Sequence, residues 1–302
     1  MATTVEIRCP ACLGRQADEA EATPRLRVRR CRACGHRVAD FAGAAPSRDD
    51  DYLLQEGSGE PYTASLRQTR LRQARRILRA IQQEAGPVEG LLDYGCGRGW
   101  LLEVARSQGI APLAGVDTSG TAMESLAELG VDAVRIEEPM HPARVVRRLR
   151  FRPRVVTLLD VVEHISPDRL DGWLAELLDA LRPDLRFAVI KVPISGGVMY
   201  RMAAALARAG VAAPLEQLYK VGCSPPHLHY FSARSMEALL ERLRLPVARV
   251  VRDPEFDAGG LKERATFLRR LPAPLATAAG GAAIGVARAL RMEDTAAFLC
   301  RA

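Results

Sequence analysis

Lysine is almost missing from this 302-residue chain: of its 43 basic residues only Lys191, Lys220 and Lys262 are lysines. The formal charge of +7 therefore rests on arginine. Together with the abundance of alanine, this reads as a coding bias toward G and C. The basic balance alone does not point to a nucleic-acid partner. Aromatic residues are scarce as well, at 5%. No segment reaches the run of about 20 strongly apolar residues that a membrane-spanning helix requires. The nearest, Leu271–Ala287, is uncharged but built of Ala, Gly and Pro, which bury little area. The opening residues Met1–Glu6 lack the apolar core of a signal peptide. These absences speak against export and stable membrane insertion, and the expected location is cytoplasmic. The remainder is globular in composition, 48% hydrophobic and 26% charged. The length suits one sizeable catalytic domain with a small appendage.

The cysteines mark the appendage. Cys9-Pro10-Ala11-Cys12 and Cys31-Arg32-Ala33-Cys34 form C-x2-C…C-x2-C with a gap suited to a structural zinc site. Each pair can turn two thiolates toward one ion, and four thiolates close a tetrahedral shell with no position left for water. Gly35 fits a knuckle in which backbone N–H groups approach the sulfurs. Two disulfides, or four unrelated thiols, suit this spacing and a reducing compartment less well. Residues 1–41 are thus read as a zinc ribbon with structural Zn2+ on Cys9, Cys12, Cys31 and Cys34.

Residues 42–86 are read as a linker followed by a helix. Gly, Pro, Ser and an acidic run fill 42–59. From Tyr62 to Glu84, Leu66, Leu71, Ala74, Ile77, Leu78 and Ile81 fall on one helical face, with Arg67, Arg70, Arg72, Arg75, Arg76 and Arg79 around the rest. A solvated face is the preferred reading of those arginines; a phosphate- or RNA-binding face is the sharper one. From 87 to 302 strands and helices alternate as in a doubly wound parallel sheet. Strands are predicted at 90–94, 112–117, 131–136, 154–160, 186–192 and 247–252. Two extra stretches interrupt the pattern, near 195–226 and 254–290. In the first, Val198, Met199, Met202, Leu206 and Ala209 are predicted to form the apolar face of a helix.

The segment Leu91-Leu92-Asp93-Tyr94-Gly95-Cys96-Gly97-Arg98-Gly99-Trp100 is the most informative part of the chain. It reads as an apolar strand, an acid, alternating glycines and the start of a helix. Glycines there let the backbone pass close to a ligand, toward which the helix directs its free N–H groups. The spacing Gly95-x-Gly97-x-Gly99 differs from the G-x-G-x-x-G of pyrophosphate-binding folds, which argues against a dinucleotide oxidoreductase. A second strand ends at Asp117, where an acid can accept hydrogen bonds from both ribose hydroxyls.

Asp93 with the three glycines resembles the D-x-G-x-G-x-G motif of class I S-adenosylmethionine-dependent methyltransferases. Three later features are similar to that family in the same order: Asp117, the stretch Asp160-Val161-Val162-Glu163-His164 after the fourth strand, and Leu181-Arg182-Pro183-Asp184 before the fifth. The last segment, 295–301, resembles the family's final antiparallel strand. The resemblance implies a seven-stranded, mostly parallel Rossmann-like sheet. It also implies a cofactor site of Asp93, Gly95, Cys96, Gly97, Gly99, Asp117 and Asp160, with Cys96 as a small spacer. Glu137 or Glu138, after the third strand, is a candidate near the adenine that no family motif fixes. For catalysis the resemblance points to Glu163, His164 and the later His227 of Pro226-His227-Leu228-His229. An E-x-x-E-H with a later histidine resembles the Mg2+ or Mn2+ site of small-RNA 3′-end 2′-O-methyltransferases, and Asp160 stands for the first glutamate. A general base or a structural role is preferred to metal for these residues. His36 and His141 receive no role. The expected activity is methylation of a small-molecule acceptor at oxygen, in a sugar, glycan or secondary-metabolite pathway. RNA methylation, with the ribbon and the arginine-rich helix binding the nucleic acid, is the alternative. No N/D-P-P-[Y/F/W] motif of amino-group methyltransferases follows the fourth strand, which argues against base-nitrogen methylation.

Overall fold

In the computed structural model the described residues are 4–6, 8–42, 60–136, 141–253 and 292–302, with positions 281, 282, 285, 289 and 290. Most of the expected linker, Glu137 and Glu138, and most of the stretch 254–290 lie outside them. Two compact units divide the chain: Met1–Thr69 with Pro193–Ala238 and Arg252–Ala296, and Arg70–Val192 with Leu239–Val251 and Ala297–Ala302.

The second unit is built on a seven-stranded sheet. Its strands are β5 (Glu89–Tyr94), β6 (Ala111–Asp117), β7 (Asp132–Arg135), β8 (Val155–Leu159), β9 (Phe187–Pro193), β11 (Val247–Asp253) and β12 (Thr295–Arg301). Their order across the sheet is β11-β12-β9-β8-β5-β6-β7. Parallel pairing joins β5 to β6 and β8, β6 to β7, and β8 to β9. All seven strands fall where the sequence places them, within a residue or so at each end. Central β9 is buried at every position, as a parallel strand covered on both faces must be, hence its unbroken apolar run. The connecting helices are one-sided. In α5 (Leu170–Leu181), Leu170, Leu174, Leu177, Leu178 and Leu181 are buried, the spacing of one helical stripe. Helix α1 (Glu60–Ala85) buries Leu66, Leu71, Ala74, Ile77, Leu78 and Ile81, the face read from the sequence. Among the described residues no helix is long and apolar enough to cross a membrane.

The first unit contains more than the ribbon. Strands β1 (Thr4–Glu6), β2 (Gln16–Thr23), β3 (Leu26–Cys31) and β4 (Arg37–Phe41) form an antiparallel sheet that continues into β10 (His229–Tyr230), in the order β1-β2-β3-β4-β10. The pairing of β4 with β10 sets His229 opposite Val38. The ribbon and the stretch 193–238 therefore share one sheet and one core, of Leu26, Val28, Ala39, Ala203, Leu215 and the three tyrosines Tyr200, Tyr219 and Tyr230.

Helix α6 (Val198–Arg208) corrects the sequence reading. It buries Val198, Tyr200, Ala203 and Ala204, whereas Met202 and Leu206 are 46% and 36% exposed. Polar chemistry and close packing choose the face. The Tyr200 hydroxyl donates to Glu21 at 3.1 Å and meets the Tyr219 hydroxyl at 3.0 Å. The two alanines leave room for the sheet to approach, and an apolarity count does not register either effect.

Candidate cofactor site and cysteine cluster

The glycine loop leaves the carboxyl end of β5 and turns into α2 (Trp100–Ser107). Gly95 has φ +77, and a Cβ on it would lie 2.3 Å from Val161 Cγ2. The loop therefore packs directly against the turn that follows β8, at a distance only glycine allows. Gly97, with φ +50, has nothing within 4 Å of its Cβ position; here the missing side chain leaves open space rather than relieving a clash. The Gly95 and Cys96 N–H groups donate to the Val116 carbonyl at 2.7 and 3.1 Å. This binds the loop to β6. Cys96 turns its side chain into the core beneath the loop, where burial raises its thiol pKa well above the ordinary value. It is a neutral spacer there, not a nucleophile.

Asp117 ends β6. Its Oδ2 accepts the Gly97 N–H at 2.7 Å and its Oδ1 the Ser119 N–H at 3.0 Å. The carboxylate thus fixes the loop, and each oxygen keeps a lone pair for a ligand hydroxyl. Ser119 caps the following helix α3 (Gly120–Glu128) by accepting from Ala122 N–H.

Asp93 is buried, and its Oδ1 accepts the Thr157 hydroxyl at 2.6 Å. Asp93 and Thr157 face each other across the β5–β8 pairing. Burial, reinforced by the charges of Asp117 and Asp160 and opposed by the Thr157 hydrogen bond, pushes the Asp93 carboxyl up to about 7. The stability consequence has a definite sign. From about pH 4, where an unfolded aspartate ionises, up to about 7, the folded protein holds a proton that the unfolded chain has lost. Stability contributed by Asp93 is complete below about pH 4 and is lost as pH rises through the folded value. Asp93→Asn should therefore raise stability at pH 8 by about 3 kcal/mol and flatten its pH dependence between about pH 4 and 7. Urea denaturation at a series of pH values measures this; parallel curves for the two proteins would refute it.

Asp160 follows β8 in the left-handed backbone region, φ 59. Both its oxygens accept from Lys191 Nζ, at 2.6 and 2.8 Å, and Arg70 lies 3.0 Å from Oδ2. The Lys191 side chain is only 3% exposed, so Asp160 compensates a buried charge. With two cations on its carboxylate, Asp160 is poorly suited to the Mg2+ or Mn2+ ligand role that the sequence reading gives as the less favoured option. Glu163 and His164 lie on the 3-10 turn Val162–His164 immediately beyond. Glu163 is buried and His164 half-buried. His227 belongs to the other unit, where its N–H donates to the Tyr219 carbonyl at 3.1 Å and its ring centroid is 5.9 Å from that of Tyr230.

The four ribbon cysteines converge. Their sulfurs lie within 4.8 Å of one another, with Cys9–Cys34 at 3.6 Å and Cys12–Cys31 at 3.7 Å. The sulfurs of a tetrahedral site with bonds of about 2.3 Å are separated by about 3.8 Å, so the spacing fits one zinc ion. Backbone geometry supports the knuckles: Cys9 N–H donates to the Gly14 carbonyl at 2.8 Å and Gly35 N–H to the Cys31 carbonyl at 2.9 Å. The hydrogen bond between Cys9 and Cys34 lowers the Cys9 thiol pKa and raises that of Cys34, which burial raises further. One thiolate of the pair is favoured, and a cation would be needed to hold both deprotonated. His36, which received no role from sequence, is fully buried beside this cluster, its Nε2 3.0 Å from His229 Nδ1.

Three partners of this chemistry went unread in the sequence. Thr157 looked like one more β-strand residue, and Arg70 like one of many solvated arginines. Lys191 had a signal: one lysine inside an apolar strand, in a chain that nearly lacks lysine.

Comparison with known proteins agrees with the fold. A family described as "Methyltransferase domain" matches residues 65–247, more than half of the chain. No curated protein sequence matches. Among solved structures, an S-adenosylmethionine-dependent methyltransferase from Archaeoglobus fulgidus is 17% identical, covering 83% of this chain and 98% of that one, with a TM-score of 0.50. Magnesium protoporphyrin IX methyltransferase from Synechocystis, solved with S-adenosylhomocysteine, is 13% identical, covering 83% and 93%, with a TM-score of 0.48. A Burkholderia thailandensis 1,6-didemethyltoxoflavin N1-methyltransferase is 17% identical, covering 87% and 95%, with a TM-score of 0.44. With its glycine loop, its acid-ended strands and its mostly parallel seven-stranded sheet, the chain belongs to this methyltransferase family and is an S-adenosylmethionine-dependent enzyme of the class I fold.

Proposed function

We propose that the enzyme methylates an oxygen of a small-molecule acceptor. Bound S-adenosylmethionine would supply an electrophilic methyl group on a sulfonium leaving group. In this reading the loop 95–99 packs along the methionine and ribose portions, and Asp117 accepts the ribose hydroxyls. Asp93, at the end of β5, lies near the amino group, whose positive charge draws it into the ionised form. Transfer needs the acceptor oxygen in line and free of its proton. His164 is the proposed base, and Glu163, beside it on the same turn, its orienting partner.

The observation that carries this reading is the close approach of Gly95 to Val161. It sets the turn bearing Glu163 and His164 directly against the cofactor loop, and the Lys191–Asp160–Arg70 cluster holds the start of that turn. The cysteine cluster is proposed to bind a structural zinc ion. The nucleic-acid alternative loses support from the arginine-rich helix, where Arg67, Arg70, Arg72 and Arg76 all have partners within the protein.

A labelled methyl donor, offered with a panel of phenols, hydroxy acids and sugars, tests the proposal. The product should carry its label on oxygen. His164→Ala should lower kcat by about 10²–10⁴-fold with donor KM unchanged. His227→Ala, assayed alongside, tests the second histidine of the sequence reading. Labelled nitrogen or carbon, or an undiminished kcat in His164→Ala, would contradict the oxygen and base assignments.

A further inference from the structure

Within the first unit lies a cavity of about 670 Å3 that is lined by none of the residues proposed above for methyl transfer. Its walls come from the ribbon strands, the β9–α6 turn, α6, the start of α8 (Ala233–Arg242), Arg252 and residues 292–293. Seven arginines line it, Arg30, Arg32, Arg37, Arg201, Arg208, Arg234 and Arg252, against two carboxylates, Glu21 and Glu293. Such a concave excess of one charge is costly in the absence of a counter-charge and concentrates anions.

Two of the seven are engaged already, Arg32 with Asp18 and Arg252 with a partner of its own; the other five fall into two groups. Glu21, whose side chain is completely buried, anchors the first: Arg208 Nη2 donates to it at 3.1 Å and Arg37 Nε lies 3.5 Å away. The Arg37 guanidinium also stacks 5.0 Å from the Tyr200 ring centroid, and its buried Nε makes no hydrogen bond. One carboxylate occupies a minority of the ten N–H donors of two guanidinium forks, so the pair is held in place with donors remaining. No ion pair holds the second group, Arg30, Arg201 and Arg234, among the described residues, although the charge of Arg30 acts on Asp18 opposite it in the β2–β3 pairing. Gly196, also on the wall, brings backbone close without a side chain, with only Ile194 Cγ2 within 4 Å of its Cβ position.

We propose that this cavity is a binding site for a small organic molecule carrying adjacent phosphoryl groups. Forked guanidinium donors match phosphate oxygens two at a time. The volume falls within the roughly 300–1,000 Å3 of small-molecule sites, much more than a single phosphate fills, so an organic portion belongs with the anion. Arg37 and Arg208 form the fixed part of the site; Arg201 and Arg234 complete it from exposed positions on α6 and α8. The proposal does not depend on the acceptor assignment above.

Calorimetric titration of the full chain with inorganic pyrophosphate, ADP and UDP provides the test, repeated with Arg201→Ala/Arg234→Ala and with Glu21→Gln. The double variant alters exposed side chains, and its S-adenosylhomocysteine affinity reports that the fold is intact. Both diphosphates should bind the wild type more tightly than pyrophosphate and more weakly at raised salt. The double variant should bind them about tenfold or more weakly, with S-adenosylhomocysteine affinity unchanged. Glu21→Gln, which loosens Arg37 and Arg208, should also weaken binding. The proposal is overturned by no binding, by affinities equal in wild type and double variant, or by a single-stranded RNA oligomer outcompeting both diphosphates, which would identify a polyanion surface instead.

Discussion

Gly95→Ala is expected to abolish measurable S-adenosylhomocysteine binding and to destabilise the fold by about 2–4 kcal/mol. The loss has two independent sources. Alanine at φ +77 adopts a backbone region that its Cβ disfavours, at a cost of about 1–2 kcal/mol. The added carbon would also lie 2.3 Å from Val161 Cγ2, so either the loop or the turn carrying Glu163 and His164 must move. Both displacements disturb the surface where the cofactor is read. Gly97→Ala makes the control, because nothing lies within 4 Å of its Cβ position. Its stability cost should be confined to the backbone term, about 1 kcal/mol. Any loss of affinity in Gly97→Ala beyond that reports a ligand occupying the open space. Thermal melts with and without the ligand measure both quantities; equal affinities in Gly95→Ala and wild type would contradict the loop assignment.

The second large effect belongs to the cysteines. One zinc ion per chain is the expected content, and its removal by a chelator should lower the melting temperature of the first unit by about 10 °C or more. Strands β3 and β4 leave directly from the second cysteine pair, and β4 carries β10 through the same sheet. Four thiols packed at 3.6–3.7 Å cannot all ionise without a cation, because thiolates that close repel one another. Cys31→Ser should reproduce the chelator's effect. Elemental analysis together with melting of the metal-free protein tests this, and a zinc-free chain with unaltered melting would refute it.

How far the sequence reveals this protein depends on how local the determinants are. The strands of the parallel sheet were readable because each is an apolar run bounded by its own turn. The positions of Asp93, Gly95 and Gly97 were readable because the loop's backbone demands are written within a few neighbouring residues, and that of Asp117 because it ends the next apolar strand. The cysteine cluster was equally plain, since its ligands occur in two tight pairs. Pairings between distant segments were not. Nothing in Pro226-His227-Leu228-His229 shows that His229 and Tyr230 add a fifth strand to the ribbon's sheet. The apolar count on α6 chose Met202 and Leu206, because Tyr200 gains its burial from a hydroxyl partner far away in sequence, Glu21. The E-x-x-E-H resemblance suggested a metal at Asp160; the opposing cations, Arg70 and Lys191, lie 90 residues upstream and 31 downstream of it, with only the latter hinted at by its setting.

Cofactor recognition at Asp117 is the centre of the account, and calorimetric titration with S-adenosylhomocysteine tests it most directly. The wild type should bind in the micromolar range. Asp117→Ala, which removes the proposed ribose acceptor and with it the carboxylate that holds Gly97 and Ser119, should bind about a hundredfold more weakly or not at all, and NAD should give no heat. Binding of NAD in place of S-adenosylhomocysteine, or an undiminished affinity in Asp117→Ala, would contradict it.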